Sequence, residues 1–191
     1  MISSNKSSIL TYGTVITLLI LPLISQGQVF KTESGNVEFK STVPLHSFTG
    51  TSDQLVGRIS LADSTVDFYV DVNTLDTGIG KRDRDMLKTL EAEEYPFAEF
   101  YGTLQSNIDA QQSAAETVTV QGKFTIHGVS KQVSIDGTLQ RTDQGLTIEA
   151  SWTLNMKDYD IEPPGILFYR VSEKIEITIN ATLPPNNPSE L

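Results

Sequence analysis

Residues 117–139, TVTVQGKFTIHGVSKQVSIDGTL, contain two runs in which apolar and polar side chains alternate, joined at His127-Gly128. Alternation with a period of two is typical of strands that have one buried and one solvent-facing side. Such strands favour an antiparallel sheet, and the glycine marks the turn between them. The segment therefore predicts a β-hairpin with one apolar face. Its apolar positions are Val118, Val120, Phe124, Ile126, Val133, Ile135 and Leu139.

The same alternation recurs through most of the chain. It covers Val66–Val72, Leu146–Leu154 and Ile175–Ala181, and turn signals separate the runs. The pattern predicts an all-β fold of about eight strands, either a sandwich or a barrel. Glycines within strand runs mark bends or close backbone approach, which fits a sheet that curls and closes. These glycines are Gly57, Gly102, Gly122 and Gly137.

The apolar faces of these strands form either a packed core or the wall of an apolar cavity. Protein interiors normally pack densely, but a barrel of about eight strands can also hold one small ligand. Periodicity does not decide between the two. We expect twelve residues to face inward and to line the cavity if the barrel is open: Val66, Phe68, Val70, Phe100, Leu104, Phe124, Ile126, Ile135, Ile148, Trp152, Ile175 and Ile177.

Residues 78–100, GIGKRDRDMLKTLEAEEYPFAEF, break the alternation. An apolar stripe at helical spacing follows five consecutive charges and predicts a short helix over Met86–Glu93 that lies against the sheet. We expect Asp83 or Asp85 to cap its start, because exposed amide groups there favour an acidic side chain. Tyr95-Pro96 is expected to end it. The charges are therefore interpreted as part of a helical crossover.

Residues 1–27 have the layout of a secretory signal peptide. A basic residue precedes an apolar run over Val15–Ile24, and Ser25-Gln26-Gly27 offers small residues at a cleavage site. The run is about half the ~20 residues of a membrane-spanning helix, so an uncleaved anchor is the weaker alternative. We predict a mature domain over residues 28–183, a flexible tail over residues 184–191, and export to the periplasm or beyond.

Composition excludes several classes of function. The chain has no cysteine, which removes disulfides, thiol nucleophiles, cysteine-based zinc sites and a lipid-modified cysteine. Its formal net charge is −10 at pH 7, whereas nucleic-acid partners require a basic face. The same acidity argues against electrostatic docking on anionic lipid surfaces.

No catalytic or metal-binding motif is present in the sequence. His46 and His127 are the two histidines, and neither has further ligands at metal-ligand spacing. The chain lacks a GxSxG elbow, a Walker-type loop and a GxGxxG motif. We therefore predict no metal and no cofactor, and we expect His127 to stabilise a turn by a hydrogen bond.

Three blocks together resemble the YceI-like, polyisoprenoid-binding family. They are residues 71–100, which include the crossover segment; Gly122–Ile135, GKFTIHGVSKQVSI; and Thr49–Leu61, TGTSDQLVGRISL. The resemblance extends over Val37–Leu183. The residues that carry it in the first two blocks are Asp76, Gly78, Arg82, Asp83, Tyr95, Pro96, His127 and Gly128.

The resemblance implies a lipocalin-like antiparallel β-barrel of about eight strands with one short helical crossover. It also implies an exported bacterial protein that holds a polyisoprenoid or similar apolar lipid and has no catalytic residues. One alternative is a structural or partner-binding envelope or stress protein with a filled barrel. Another is an enzyme acting on a lipid or sugar, motivated by His46, His127 and the excess of acids. No feature of the sequence assigns an oligomeric state.

Overall fold

A computed structural model describes residues 29–105, 114–163, 165–166 and 169–186. The predicted signal peptide, residues 1–27, lies outside the described residues, as do residues 187–191 of the predicted tail. Among the described residues, no helix combines the length and the apolar character needed to cross a membrane.

Eight antiparallel strands close into a barrel in which chain neighbours are also neighbours in space. The order around the barrel is β1-β2-β3-β4-β5-β6-β7-β10, and β10 pairs back onto β1. Two very short strands, β8 and β9, form a separate hairpin. The strands are β1 Val29–Val43, β2 His46–Ser60, β3 Thr65–Asp71, β4 Phe97–Leu104, β5 Glu116–Ile126, β6 Val129–Thr142, β7 Gly145–Asn155, β8 Gly165–Ile166, β9 Tyr169–Arg170 and β10 Lys174–Leu183. The predicted antiparallel barrel is confirmed.

The hairpin that joins β5 to β6 turns at His127 and Gly128. Both residues have positive φ, 54° and 71°, which is the backbone of a two-residue type I′ turn. Ile126 then pairs directly with Val129. This turn matches the right-handed twist of the strands, so it fixes the register of the two longest alternating runs in the sequence.

One end of the barrel is closed by packed side chains. Phe30, Leu146 and Leu183 are almost completely buried there. Past β10 the chain runs alongside the start of β1, where the Asn186 amide donates a hydrogen bond to the Val29 carbonyl over 2.7 Å. Residues 184–186 of the predicted flexible tail are therefore held against β1, which corrects that part of the prediction.

The crossover helix, α1, runs over Gly80–Thr89 and lies at the opposite end of the barrel. It starts six residues earlier than predicted, among the charged residues themselves. Neither Asp83 nor Asp85 caps it: the N-cap is Ile79, which has no capping side chain. The Asp83 carboxylate instead accepts hydrogen bonds from the amide and the hydroxyl of Thr77, over 2.9 and 2.5 Å.

The predicted end of this helix at Tyr95-Pro96 is also wrong. The helix ends at Thr89 with Leu90 as its C-cap, and the next residue, Glu91, has a positive φ of 49°. The Glu91 carbonyl then accepts from the amides of Glu94 and Tyr95, both over 2.9 Å. A tight turn therefore separates α1 from Pro96, whose carbonyl accepts from the Val72 amide over 2.8 Å.

Two 3-10 helices complete the same end of the barrel. Val72–Thr74 follows β3, and Met156–Tyr159 follows β7. Asp71 caps the first through a hydrogen bond from the Asn73 amide, 2.9 Å long. Together with α1, these two helices surround the open end of the barrel, which is called the rim below.

Candidate functional site

The barrel encloses a cavity of about 1000 Å³. This volume lies at the upper end of the roughly 300–1,000 Å³ typical of small-molecule sites. All twelve residues predicted to face inward border it: Val66, Phe68, Val70, Phe100, Leu104, Phe124, Ile126, Ile135, Ile148, Trp152, Ile175 and Ile177. The interior is thus an apolar cavity, although contact of these side chains with a ligand stays a prediction.

The cavity is long and runs along the barrel. It reaches from Ile59 and Leu139 near the closed end to Arg82 and Met86 on α1. Phe48, which also borders the cavity, lies eleven positions before Ile59 on β2. With a rise of about 3.3 Å per residue and a strand tilt of about 40°, this corresponds to a depth of about 28 Å. The shape therefore suits an extended chain.

Glycines opposite phenylalanines keep the cavity open. The Phe68 ring covers Gly57, its direct partner on β2, and an ideal Cβ there would be 2.5 Å from the ring Cδ1. The Phe39 ring covers Gly50 in the same way, with its Cζ 2.5 Å from an ideal Cβ. Because these rings occupy the space that a neighbouring side chain would take, they line the wall without filling the lumen.

A third ring uses a pair of facing glycines. Gly102 and Gly122 are register partners on β4 and β5, and the Phe100 Cζ would lie 2.8 and 2.9 Å from a Cβ on each. A Cβ on Gly102 would also lie 2.8 Å from the Gly122 Cα. The prediction that strand glycines mark close backbone approach is confirmed at this pair.

The remaining wall combines an aromatic cluster with a shallow region. Phe124 contacts the edges of Trp152 and Tyr159, with ring centroids 5.8 and 5.7 Å apart. Gly137 and Ala150 are register partners on β6 and β7, and both border the cavity. Their small size widens the lumen on the side away from β3 and β4.

Sequence reasoning missed the parts of the wall supplied by β1, β2 and α1. Val37 and Leu55 line the cavity, as do Ile79, Arg82 and Met86 around α1. In β1, the residue that could have indicated the inward positions is Gly35, because the pairing register with β2 shifts on both sides of it. A bulge of this kind changes which residues face inward and so breaks a period-two pattern.

The rim of the cavity at α1 is charged. The Arg82 guanidinium stacks on the Phe48 ring, 4.4 Å from its centroid. Lys81 and Asp85 form an ion pair of 2.5 Å along the helix. Lys88, in the last turn of α1, also borders the cavity. The apolar interior therefore ends beside charged side chains of α1.

Asp76 and Gly78, which the sequence predicted as part of a structural motif, form the loop that leads into α1. The Gly78 amide donates to the Asp76 carboxylate over 2.6 Å, and Gly78 has a φ of 74°. Asp76 also pairs with Thr51 of β2 through two backbone hydrogen bonds of 2.9 Å. With the bonds from Thr77 to Asp83, these contacts fasten α1 to the barrel wall. Their arrangement gives these residues a structural role.

On the other side of the rim, His127 connects segments that are far apart in the chain. Its Nδ1 donates to the Tyr159 carbonyl over 3.1 Å, and its Nε2 lies 3.5 Å from a Glu91 carboxylate oxygen. Tyr95 packs edge-on against the imidazole, with centroids 5.6 Å apart, and covers Gly128. The hydrogen bond thus joins the β5–β6 hairpin to the 3-10 helix after β7, and not to the residues of its own turn.

Tyr159 is the buried titratable group at this rim. Burial raises the pKa of its phenol above the usual 10.0, and the neighbouring Asp158 carboxylate adds to the shift. Lys157 and Glu173 form an exposed ion pair of 2.7 Å beside it. These features stabilise the connection between β7 and β10.

The described residues supply no assembled catalytic or metal centre. Within them, no three His, Cys, Asp or Glu side chains lie close enough to hold a metal ion. His46 begins β2 and His127 lies in the β5–β6 turn, so the two histidines are on different hairpins. Over the same part of the chain, no hydrogen bond joins a histidine to a serine or threonine hydroxyl.

Comparison with known proteins identifies the same architecture. The family model described as YceI-like domain matches residues 29–183. A polyisoprenoid binding domain from Saccharophagus degradans, implicated in plant cell wall breakdown, superposes with a TM-score of 0.68 at 19% identity, covering 85% of this chain and 100% of that one. Burkholderia cenocepacia BcnA superposes with a TM-score of 0.62 at 17% identity, covering 76% and 94%.

A third similar structure is the YceI protein of Campylobacter jejuni. Its TM-score is 0.58 at 17% identity, and the match covers 76% of this chain and 89% of that one. No curated protein sequence matches the chain. At these identities the solved structures establish the fold.

Proposed function

Because this chain belongs to the YceI-like family, we propose that it is an exported bacterial binding protein that holds a polyisoprenoid or similar apolar lipid in its barrel. The observation that carries the proposal is the apolar cavity of about 1000 Å³ along the barrel axis. The similar domain from Saccharophagus degradans is described as polyisoprenoid binding, which supports the same ligand class. The apolar run before Gly27 supports export.

The volume sets the size of the ligand. At about 30 Å³ for each water-sized group, the cavity accommodates about thirty non-hydrogen atoms. At about −0.3 kcal/mol for each ligand atom, full occupancy corresponds to about −9 kcal/mol, or a Kd of a few tenths of a micromolar. Each buried methylene contributes about 0.8 kcal/mol before the costs of ordering. Chain length therefore governs affinity.

The wall provides little discrimination between apolar chains. Its deeper part is lined by residues such as Ile59, Leu104 and Leu139, which offer contact area but no polar side chain. Directional hydrogen bonds would be needed to distinguish one apolar chain from another of similar width. We expect the protein to accept several apolar chains that fit the lumen.

Titration calorimetry with prenyl alcohols of about two to about eight isoprene units tests the proposal. Affinity should rise with length and level off near thirty carbons, where the cavity is full. A matched series on Ala150→Trp, which adds an indole to the wall of the cavity, should level off at a shorter chain. Failure to take up any prenyl alcohol would overturn the proposal.

The two other hypotheses have less support. A filled barrel is inconsistent with the open lumen, so the structural alternative loses its premise. The separation of His46 from His127 gives the enzyme hypothesis no site among the described residues. The absence of an activity stays a prediction.

A further inference from the structure

The outer surface of β3 and β4 carries three exposed aromatic rings. Tyr69, Phe97 and Tyr101 are 40, 40 and 58% exposed, and they make up three of the five exposed large apolar side chains among the described residues. The Tyr69 and Phe97 rings are in contact, with centroids 5.7 Å apart. At about 200 Å² for each ring, the exposed part amounts to about 300 Å². Apolar patches of this size on monomeric proteins are often functional.

A carboxylate lies directly opposite each of these rings. The register partners are Asp67 and Tyr101, Glu99 and Tyr69, and Asp71 and Phe97. Rings and acids therefore alternate both along each strand and across the pair. Diagonal neighbours on one side of an antiparallel pair are about 7–8 Å apart, so the three acids follow a zigzag line with that spacing. These six side chains are called the aromatic–acidic face below.

The acids of this face are available to a partner. Among the residues that the structure describes, neither Asp67 nor Glu99 forms an ion pair, and both are exposed. Asp71 is half-buried, and its Oδ1 accepts from the amide and the side chain of Asn73, over 2.9 and 2.8 Å. At least two carboxylates on the face are thus not neutralised by a cation of the same chain.

Two cations lie at the margins of the face. Arg58 is the register partner of Asp67 on β2, but its guanidinium donates to the Thr65 hydroxyl over 3.4 Å. Lys123 is the register partner of Tyr101 on β5. Neither cation forms an ion pair with another described residue. The negative charge is therefore concentrated between β3 and β4.

The charge and the ring geometry exclude several kinds of partner. An anionic partner would meet unpaired acids, and a two-fold contact with a second copy would bring two acidic surfaces together. The Tyr69 and Phe97 rings stand at 88° to each other, so they offer no shared flat platform to a sugar ring. A cationic partner is favoured, because guanidinium and ammonium groups are attracted both to carboxylates and to the faces of aromatic rings.

We propose that the aromatic–acidic face binds an extended basic segment of another protein, with arginine or lysine at every second residue. In an extended chain such side chains point the same way and recur about every 6.6–6.8 Å, which is close to the spacing of the acids. Their aliphatic stems can cover the rings while the charged ends reach the carboxylates. Phe97, Glu99 and Tyr101 do not border the cavity, so the proposal is independent of the ligand in the barrel.

Two synthetic peptides of identical composition test the spacing. In one, four arginines alternate with three threonines; in the other, the same arginines form a single block. Amide chemical shifts of the isotope-labelled protein report both the affinity and the place of binding. At low salt the alternating peptide should bind about 5-fold more tightly, because both peptides share the general charge attraction but only one matches the face. The shift changes should lie on β3 and β4.

Variants assign the preference to the face. Tyr101→Thr removes the most exposed ring without changing the net charge, and it should reduce the difference between the peptides to less than about 2-fold. Glu99→Gln removes the central acid at nearly constant size and should have a similar effect. The matched control is Glu176→Gln, which removes an exposed acid on β10; it should retain the preference. If Tyr101→Thr does not fold, Glu99→Gln provides the test.

Three results would overturn the proposal. One is equal affinity for the two peptides, and another is a preference that survives both Tyr101→Thr and Glu99→Gln. The third is a monomer–dimer equilibrium of the protein alone that Tyr101→Thr abolishes, because the face would then bind a second copy. A preference for the alternating peptide that maps to β3 and β4, and that these two variants remove, supports it.

Discussion

Replacing Gly57 by alanine would place a methyl group where the Phe68 ring now lies. The two residues face each other on β2 and β3, and the new Cβ would be 2.5 Å from the ring Cδ1. The ring Cε1 would lie closer still, and ordinary van der Waals contact begins at 3.4 Å, so the ring must retreat by more than 0.9 Å, the shortfall at Cδ1. The free space next to the ring is the cavity, so we expect the ring to turn into the lumen.

The displaced ring should weaken both the fold and ligand binding. Overpacking of this kind costs about 1–3 kcal/mol, of which about 0.4–1 kcal/mol is offset because alanine restricts the unfolded chain more than glycine does. The ring also takes the place of about six ligand atoms. At about 0.3 kcal/mol for each atom, the loss is about 1.8 kcal/mol, or about 20-fold in Kd.

Urea unfolding and calorimetric titration with a long prenyl alcohol measure the two effects. Gly80→Ala is the matched control, because a Cβ there meets its nearest atom, Arg84 Nη1, at an ordinary 3.6 Å. The double variant Gly57→Ala/Phe68→Leu should recover affinity, since a smaller side chain leaves the lumen free. If Gly57→Ala unfolds at the same urea concentration and binds as tightly as the unmodified protein, the proposed role of the glycine–phenylalanine pairs is wrong.

Three further predictions concern the rim. Asp83→Ala should lower the free energy of unfolding by about 1–2 kcal/mol, because Thr77 loses its acceptor, whereas Asp85→Ala should change it by less than about 1 kcal/mol, since only an exposed pair is lost; equal effects in urea unfolding would contradict this. His127→Asn tolerates the positive φ but removes the bond to Tyr159, so thermal stability should fall by about 1 kcal/mol; an unchanged melting temperature would count against that bond. The raised pKa of Tyr159 contributes stability that is complete below pH 10.0 and is lost as the pH rises through the folded-state pKa. Tyr159→Phe should therefore differ progressively from the unmodified protein in melts above pH 10.0, and parallel curves would refute the assignment.

Alternation predicted the strands where the backbone is regular and failed where it is not, and the resemblance to a known family implied the barrel. The β5–β6 hairpin follows a strict period of two, and its turn has the positive φ values that a His-Gly pair can supply. In β1 the inward positions change from Phe30 and Thr32 to Gly35 and Val37, since the register shifts at the bulge. A period-two pattern cannot locate such a shift without knowledge of the partner strand.

The crossover was predicted as a helix but placed six residues too late at its start. Its apolar residues suggested a core-facing helix over Met86–Glu93. In the structure α1 buries no residue completely and lies across the open rim. Its first turn therefore does not need apolar side chains, and charged residues occupy it. The backbone leaves the helical region at Glu91, which has a positive φ. A glycine at this position would have predicted the end of the helix, whereas a glutamate does not.

Twelve of the residues that border the cavity were predicted from the sequence, but the cavity itself was not. Phe68 and Phe100 could equally have met in a packed core. They are held against the wall by glycines on neighbouring strands, and only the register shows that Gly57 lies opposite Phe68. The free volume is therefore a property of cross-strand pairing, which a single sequence does not reveal.

Lipid extraction and mass spectrometry of the protein purified without unfolding from its native host test the central claim most directly. We expect one apolar chain of about thirty carbons or fewer per protein molecule, because that is what the cavity accommodates. Protein that arrives empty, and that takes up no prenyl lipid when it is offered in vitro, would contradict the account.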